Sequence, residues 1–253
     1  MYTEEDFIAL EQEERTLTDE AILAMLLILM SVKGELEDEL RDFYQRYGKD
    51  GVVTYSEARK WVSEQDHRRR LTALTAAVGT AFTWALVDLE DQFRKFLTKV
   101  IGKESAFFDT KIDADKTLSR NWGADDSNWR DRLENDVLLW QIYIATDIKR
   151  GIHQRKNIAE VLTQLNKRFT SIESILKGLG ITESTAIGSM ARLEIFKELG
   201  VSKYQFFTNP DERRCETCGA MHGLIFPISA YEVGVTASPI HPRCRCWEVP
   251  IFD

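Results

Sequence analysis

The first 214 residues of this chain contain no cysteine, and all four cysteines lie between positions 215 and 246. A chain of 253 residues is long enough to bury a core without disulfides. The longest apolar run, Ala21–Met30, is too short to span a bilayer, and acidic residues precede it where a signal peptide would be basic. We therefore expect no membrane span and folding in a reducing cytoplasm, where clustered Cys and His indicate metal more often than a disulfide.

A broad basic surface is also missing. The formal net charge is −8, and residues 1–50 carry 14 acidic and 5 basic residues. A non-specific nucleic-acid binder would normally be basic, so the composition argues against that class. Local basic clusters exist at 67–70 and around Arg213, Arg214, Arg243 and Arg245, and we interpret them as solvated surface. The acidic N-terminal residues could dock on a basic partner, although a solvated acidic helix is the favoured interpretation.

Apolar residues at helical spacing predict a mainly α protein with a small α+β C-terminal module, in which short β-strands surround a Cys/His cluster. We expect two domains: a helical region at 1–128 and a second domain at 129–253, with the module at about 200–253. The predicted helices are 18–46, 56–67, 71–101, 133–152, 158–176 and 182–199, with an irregular connection at 103–128. The predicted strands are 204–208, 224–226 and 245–251, with a turn at 209–211.

The cysteines supply the clearest chemical signal. Cys215 and Cys218 form a Cys-x-x-Cys pair, which offers two ligands to a tetrahedral zinc ion from one tight turn. A second pair would come from His241, Cys244 and Cys246, and which of these bind stays open. We take these five residues as candidate ligands of a structural zinc ion. His222 is the weakest candidate because a ligand so close to Cys218 would crowd the same turn. Free thiols or a disulfide are the alternatives.

Catalysis fits these residues poorly. A catalytic zinc ion keeps an open position and a nearby base, but Glu216 lies inside the Cys-x-x-Cys pair and Glu248 lies in a predicted strand. No surrounding motif supports a Cys nucleophile with a His partner. We therefore expect no enzymatic activity and no catalytic residue.

A longer series of motifs resembles a known family. Thr182-Glu183 is followed by Asp211–Cys218, then by Gly223–Pro227, and finally by Pro239–Cys246, which contains His-Pro-Arg-Cys-Arg-Cys. This succession resembles the C-terminal domain of the phage Mu F-like minor head (head morphogenesis) proteins of tailed bacteriophages, over about residues 130–250. Two positions depart from the family pattern: Ile181 stands where Arg is frequent, and His222 where Asp is frequent.

The resemblance implies a minor structural protein of the phage head that acts in head assembly or genome delivery. It implies the portal protein, the major capsid protein or scaffold proteins as partners, with possible contact with packaged DNA. The implied location is the virion, assembled in the host bacterial cytoplasm. Some relatives carry a further toxin or enzyme domain after the Cys-Arg-Cys element, and we expect none here because seven residues follow Cys246.

Two other functions remain as alternatives. A zinc-ribbon nucleic-acid-binding module would use a basic face around the arginines that flank the cysteines. A metal-dependent nuclease of the His-Asn-His type would need a histidine-rich strand between two Cys-x-x-Cys pairs. Only His222 lies between the first Cys pair and His241, and the second pair is Cys-x-Cys, so the nuclease is the less favoured of the two.

Overall fold

The computed structural model describes residues 4–53, 64–209 and 214–252. Helices make up 71% of the described residues, and a three-stranded antiparallel sheet lies near the C-terminus, which confirms the predicted fold class. The elements are α1 (Glu4–Tyr47), α2 (Glu64–Phe107), α3 (Ala114–Leu118), α4 (Trp129–His153), α5 (Ile158–Glu198), β1 (Lys203–Phe207), α6 (Glu216–Met221), β2 (Ile225–Pro227), a 3₁₀ turn (Ile228–Ala230) and β3 (Trp247–Ile251).

Helix α1 begins well before the predicted cap at Thr18. Thr18 is buried in the middle of this helix, where its hydroxyl donates to the backbone oxygen of Glu14 at 2.7 Å and contacts the Ser184 hydroxyl at 3.0 Å. A threonine inside a helix can satisfy its hydroxyl in this way instead of capping. The predicted start was wrong because the contact with Ser184 is invisible in the local pattern.

Helix α2 continues past the predicted end at Gly102 and stops at Phe107. Buried side chains on both sides of Gly102, including Ile101 and Phe108, continue the apolar face, so packing outweighs the glycine's low helix propensity. The predicted irregular connection therefore begins later and includes the short helix α3. The predicted helix start at Ser56 and the turn through Pro210 lie outside the described residues.

The segment Arg69–Phe107 of α2 is long and apolar enough to cross a membrane by length and composition alone. A core helix of a water-soluble protein meets the same criterion. Such a helix is therefore weak support for a membrane span.

Helix α5 replaces two predicted helices. The sequence predicted a break between 176 and 182, at Gly178 and Gly180, but the helix is continuous over 41 residues. A Cβ atom at Gly178 would lie 2.9 Å from Nε of Arg243, so this glycine allows a close approach of the arginine side chain. The glycine signals packing at this position, not a helix end.

The described chain divides into two compact units. Unit 1 comprises residues 1–23, 91–132 and 176–253, and unit 2 comprises residues 24–90 and 133–175. Unit 2 is helical, with Phe82 packed against Trp140 and stacked on Phe169. The domain division at residue 128 stays a prediction.

Unit 1 contains the sheet, which has the order β2-β1-β3 with antiparallel pairing throughout. Tyr204 and Phe206 alternate with less buried neighbours along β1, as expected for a strand with one face on the core. Tyr204 packs on Phe226 and Tyr231, while Phe206 packs on the cysteines. The three strands predicted from sequence are therefore confirmed, with ends shifted by one or two residues.

Candidate metal centre

The short helix α6 positions the first cysteine pair. Cys215 is its N-cap residue, and its sulfur accepts a hydrogen bond from the backbone N–H of Cys218 at 3.3 Å. Cys218, one turn later, is buried. A cysteine that caps its own turn holds both sulfurs on one side of the turn, which suits a pair of metal ligands.

The second pair lies in the segment that leads into β3. Cys244 and Cys246 are both buried and pack with Phe206 of β1. Helix α5 fixes this segment through two threonines. The hydroxyl of Thr185 donates to the backbone oxygen of Cys244 at 2.9 Å, and the hydroxyl of Thr182 accepts from the backbone N–H of Arg243 at 2.9 Å.

His241 joins the two pairs. Its Nε2 atom lies 3.2 Å from the sulfur of Cys215 and 3.3 Å from that of Cys218, and the sulfurs of Cys218 and Cys244 are 3.8 Å apart. In a tetrahedral zinc site with ordinary bond lengths, sulfur–sulfur edges are about 3.8 Å and sulfur–nitrogen edges about 3.6 Å. These three distances are therefore close to the edges of a tetrahedral site. The ligand atoms of Cys215, Cys218 and His241 form one group, all within 4.8 Å of one another. Cys246 belongs to a second group with Cys218 and Cys244, within 4.8 Å.

The tautomer of His241 also suits a metal ligand. Nδ1 lies 2.9 Å from the backbone oxygen of Pro242, a contact in which the ring nitrogen is the donor. This bond places the proton of a neutral imidazole on Nδ1 and leaves the lone pair of Nε2 directed at the sulfurs. A histidine ligand is usually oriented by such a bond from its other nitrogen.

The thiol pKa values diverge within the cluster. The hydrogen bond from the Cys246 thiol, with backbone hydrogen bonds, lowers the pKa of Cys244 to about 6. Burial raises the pKa of Cys218 to about 12, and the hydrogen bond to Cys244 together with burial raises the pKa of Cys246. The lowered pKa of Cys244 favours its thiolate, which is the form that coordinates a metal.

The five predicted ligands thus fall into two groups that share Cys218, one with Cys215 and His241 and the other with Cys244 and Cys246, and each group could hold a metal ion. His222 lies elsewhere: its Nδ1 accepts a hydrogen bond from the backbone N–H of Thr208 at 3.2 Å. All four cysteines are free, so the structure does not contain the disulfide considered as an alternative.

Neither acidic residue near the cysteines is placed as a catalytic base. Glu216 is exposed at the start of α6. Glu248 is fully buried, and its carboxylate accepts hydrogen bonds from Ser189, Tyr231 and the backbone N–H of Ser238 at 2.6–3.0 Å. Glu248 therefore joins β3 to α5 and to the loop before β3, and its oxygens are occupied by these donors.

A buried charge network in unit 1 escaped the sequence analysis. The side chain of Arg192 is 3% exposed and forms ion pairs with four carboxylates. Its nitrogens lie 2.5 Å from Glu104, 3.6 Å from Glu14 and 3.7 Å from Glu248, and they also pair with Glu11. Residues 184–193 are apolar or small except for Arg192, a pattern typical of a helix that is buried on most sides. An arginine is rarely buried without a partner, so its position in this segment could have predicted a buried ion pair.

Burial raises the pKa of three carboxyl groups of this network, those of Glu11, Glu14 and Glu104. Burial raises the pKa of Glu104 to about 7, although Arg192 opposes the shift. Burial and the neighbouring Glu104 raise the pKa of Glu14 well above its ordinary value. One arginine thus faces more carboxyl groups than it can neutralise, and protonation relieves the excess.

Glu183 has a different role from the predicted one. It does not open a helix but lies inside α5, fully buried, where its carboxylate accepts from the indole N–H of Trp122 at 3.0 Å and from Arg132 at 2.9 Å. Arg132 also binds Asp125 at 2.7 Å and stacks on Trp122, with its guanidinium 4.1 Å from the ring centroid. The Thr-Glu pair therefore anchors two loops of unit 1 to one helix.

Comparison with known proteins gives one family. Residues 143–249 match the family model described as Phage Mu protein F like protein. No curated protein and no solved structure matches the chain. The matched residues include α5, β1, β2, the first part of β3 and all five predicted metal ligands.

Proposed function

Since residues 143–249 form a Phage Mu protein F like segment, which confirms the resemblance seen in the sequence, we propose that this protein is a non-catalytic structural component of a tailed-phage head. The family points to head morphogenesis. Beyond that, we propose that the protein acts in head assembly or genome delivery through contacts with the portal protein or capsid proteins, and that it resides in the virion.

One observation carries this proposal. The family match and the Cys/His cluster coincide, because all five predicted ligands fall within residues 143–249. The same segment contains Thr182 and Thr185, which hold the cysteine-bearing loop on α5. The cluster is therefore part of the family-related segment and not an independent site added to it.

For the metal, we propose a structural zinc ion bound by Cys215, Cys218, His241 and Cys244, with Cys246 as the competing fourth ligand. Three short distances support this set, from Cys215 to His241, from Cys218 to His241 and from Cys218 to Cys244, together with the Nδ1 hydrogen bond of His241. A three-stranded sheet with short strands buries little apolar surface of its own, so a bound ion would add folding energy to the module.

Copurification tests the proposed role. The full chain, tagged at its N-terminus, would be coexpressed with the portal protein or with the major capsid protein of the phage genome that encodes it. We expect one of the two to be retained at a defined ratio that survives moderate salt. An equally tagged, unrelated acidic helical protein serves as the control. Retention of neither head protein, together with absence of the chain from purified virions, would refute the proposal.

A DNA assay separates the alternatives. The structural role predicts no cleavage of DNA with Mg²⁺, Mn²⁺ or Zn²⁺, and no binding at physiological salt. Cleavage that disappears in His241→Ala, while the variant still folds, would favour the nuclease. Binding that weakens steeply with salt, and that is lost when Arg214, Arg243 and Arg245 are changed to Gln, would favour the nucleic-acid-binding module.

A further inference from the structure

An open groove of about 1140 Å³ lies in unit 2 between the C-terminal part of α1 and the N-terminal half of α2. Its floor is apolar and consists of the buried side chains of Leu36, Phe43, Leu74 and Ala81. The α1 side extends from residue 35 to residue 47, a rise of about 18 Å at 1.5 Å per residue. The groove is therefore about as long as a helix of three to four turns.

The α2 wall is formed by short side chains. Ala73, Ala76, Ala77 and Thr80 line it, so another helix could approach the backbone of α2 closely. Trp84 follows them along α2 and is 71% exposed, so a large apolar side chain is in contact with water. An exposed tryptophan beside an apolar groove is a frequent anchor of protein interfaces.

The α1 wall is acidic. It presents Glu35, Asp38, Glu39 and Asp42 on successive turns of the helix. Asp42 pairs with Arg46 at 2.8 Å, whereas within the part of the chain that the structure describes no ion pair joins Glu35, Asp38 or Glu39 to a cation. Two arginines also line the groove: Arg46, which pairs with Asp42, and Arg70, whose guanidinium lies 4.2 Å from the ring centroid of Tyr47. The groove thus combines an apolar floor with an edge that carries more negative than positive charge.

We propose that this groove binds an amphipathic helix of another protein, one whose apolar stripe covers the floor and Trp84 and whose flank carries Lys or Arg opposite the acidic edge. Helix-in-groove recognition uses apolar anchors three and four residues apart. The charge argues for a basic partner over a second copy of this chain, which has a net charge of −8, and over nucleic acid, whose phosphates the acidic edge would repel. The inference rests on the groove alone and does not depend on the role in a phage head.

A designed peptide tests the proposal. The probe is a fluorescently labelled helical peptide of about 14 residues, with Leu three and four residues apart and Lys along one flank. The first control peptide carries Glu in place of each Lys, and the second has the same composition in an order without an apolar stripe. Fluorescence anisotropy with the full chain measures the affinity of each. We expect saturable binding of the Lys peptide and at least tenfold weaker binding of both controls.

Two variants locate the contact. Trp84→Ala removes an exposed side chain and therefore leaves the fold intact, and we expect it to weaken binding about tenfold or more. The triple variant Glu35→Gln, Asp38→Asn, Glu39→Gln should weaken binding about fivefold at low salt, since three exposed charge contacts contribute about 0.3 kcal/mol each. The matched control is Asp19→Asn, Glu20→Gln, Glu198→Gln, which makes the same change of charge at exposed positions in unit 1.

Several results would overturn the proposal. One is the absence of saturable binding of the Lys peptide at protein concentrations up to about 1 mM. Another is equal binding by the two triple variants, because the charge effect would then be non-specific. A third is a dimer, seen by analytical ultracentrifugation, that dissociates in Trp84→Ala, because a second copy would then occupy the groove.

Discussion

Units 1 and 2 are both built on long helices, yet they differ in what they bury. Among the described residues, every buried Asp, Glu, Arg, Ser and Thr lies in unit 1, whereas the buried side chains of unit 2 belong to aliphatic and aromatic residues. Unit 1 also holds the Cys/His cluster and the sheet. Apolar packing tolerates exchange of one side chain for another of similar size, whereas a buried charge or a metal ligand requires specific partners.

This difference has a physical consequence for mutation. In unit 2 the decrease in the free energy of unfolding should scale with the side-chain volume that a substitution removes, and it should be nearly independent of metal and pH. In unit 1 the decrease in the free energy of unfolding should depend on which hydrogen-bond, ion-pair or metal partner the substitution removes.

The largest effect is expected from loss of the metal. Cys215→Ser removes one ligand of the proposed zinc site, and we expect the bound zinc to fall from about one per chain to none and stability to drop by about 5 kcal/mol or more. Elemental analysis and thermal unfolding measure the two quantities. His222→Ala, a histidine outside the cluster, should keep its zinc. Full zinc content and unchanged stability in Cys215→Ser would remove the metal from unit 1.

Arg192→Met should cost about 4 kcal/mol, because four carboxylates would lose the buried cation that faces them. Urea unfolding at neutral pH measures the loss. Arg94→Met is the control: Arg94 pairs with Asp115 at 2.6 Å, but both side chains are more than half exposed, so the cost should stay below about 0.5 kcal/mol. Equal costs in the two variants would contradict the distinction between buried and exposed pairs.

In unit 2, Leu89→Ala should cost about 3 kcal/mol by leaving a cavity at a fully buried position. Because the described charged residues of unit 2 all stay partly exposed, this cost should change little between pH 5 and pH 8, and the zinc content should not change. Urea unfolding at both pH values checks this. A cost that varies strongly with pH would show that the apolar interior of unit 2 is coupled to charges.

The buried carboxyls predict how stability depends on pH. Burial raises the pKa of Glu104 from an ordinary value of 4.5 to about 7. Between these values the folded chain holds a proton that the unfolded chain has lost. The free energy of unfolding should therefore fall as pH rises from about 4.5 to about 7, by up to about 1.4 kcal/mol per pH unit from this group.

Glu104→Gln tests that slope, since Gln cannot titrate and resembles the protonated carboxyl. The variant should show a flatter dependence than the parent over the same pH range, with the residual slope coming from Glu11 and Glu14. Urea unfolding at several pH values gives both curves. Identical slopes would mean that Glu104 titrates normally in the folded chain.

The smallest effect concerns the attachment of the cysteine loop to α5. Thr182→Val removes the hydroxyl that accepts from the backbone N–H of Arg243, and it should cost about 1 kcal/mol. Thr170→Val is a suitable control, because the Thr170 hydroxyl bonds only within its own helix, at the exposed surface of unit 2. A cost no larger than that of the control would show that Thr182 does not hold the loop.

Much of the fold was predictable because helical periodicity is local. The stripe through Val137, Trp140 and Ile144 indicated α4, and the burial of these side chains agrees with it. The five clustered ligands were predictable because Cys-x-x-Cys and His-x-x-Cys-x-Cys are short motifs. The ion pairs of Arg192 were not predictable, since its partner Glu11 is 181 positions away and nothing in the local pattern marks the pair. The helix start predicted at residue 182 was wrong for the same reason: Thr182 and Glu183 lie inside α5 and bind loops that are distant in sequence.

The sequence by itself determined the helical class, the three short strands and the five residues that could bind a metal, because each depends on neighbours within a few positions. Tertiary structure decided the continuity of α5 through Gly178, where Arg243 uses the space that a side chain would fill. It also decided the arrangement of His241 between two cysteine pairs and the burial of Arg192 among four carboxylates. These features arise only when distant segments meet, and their stability comes from partners that the chain brings together on folding.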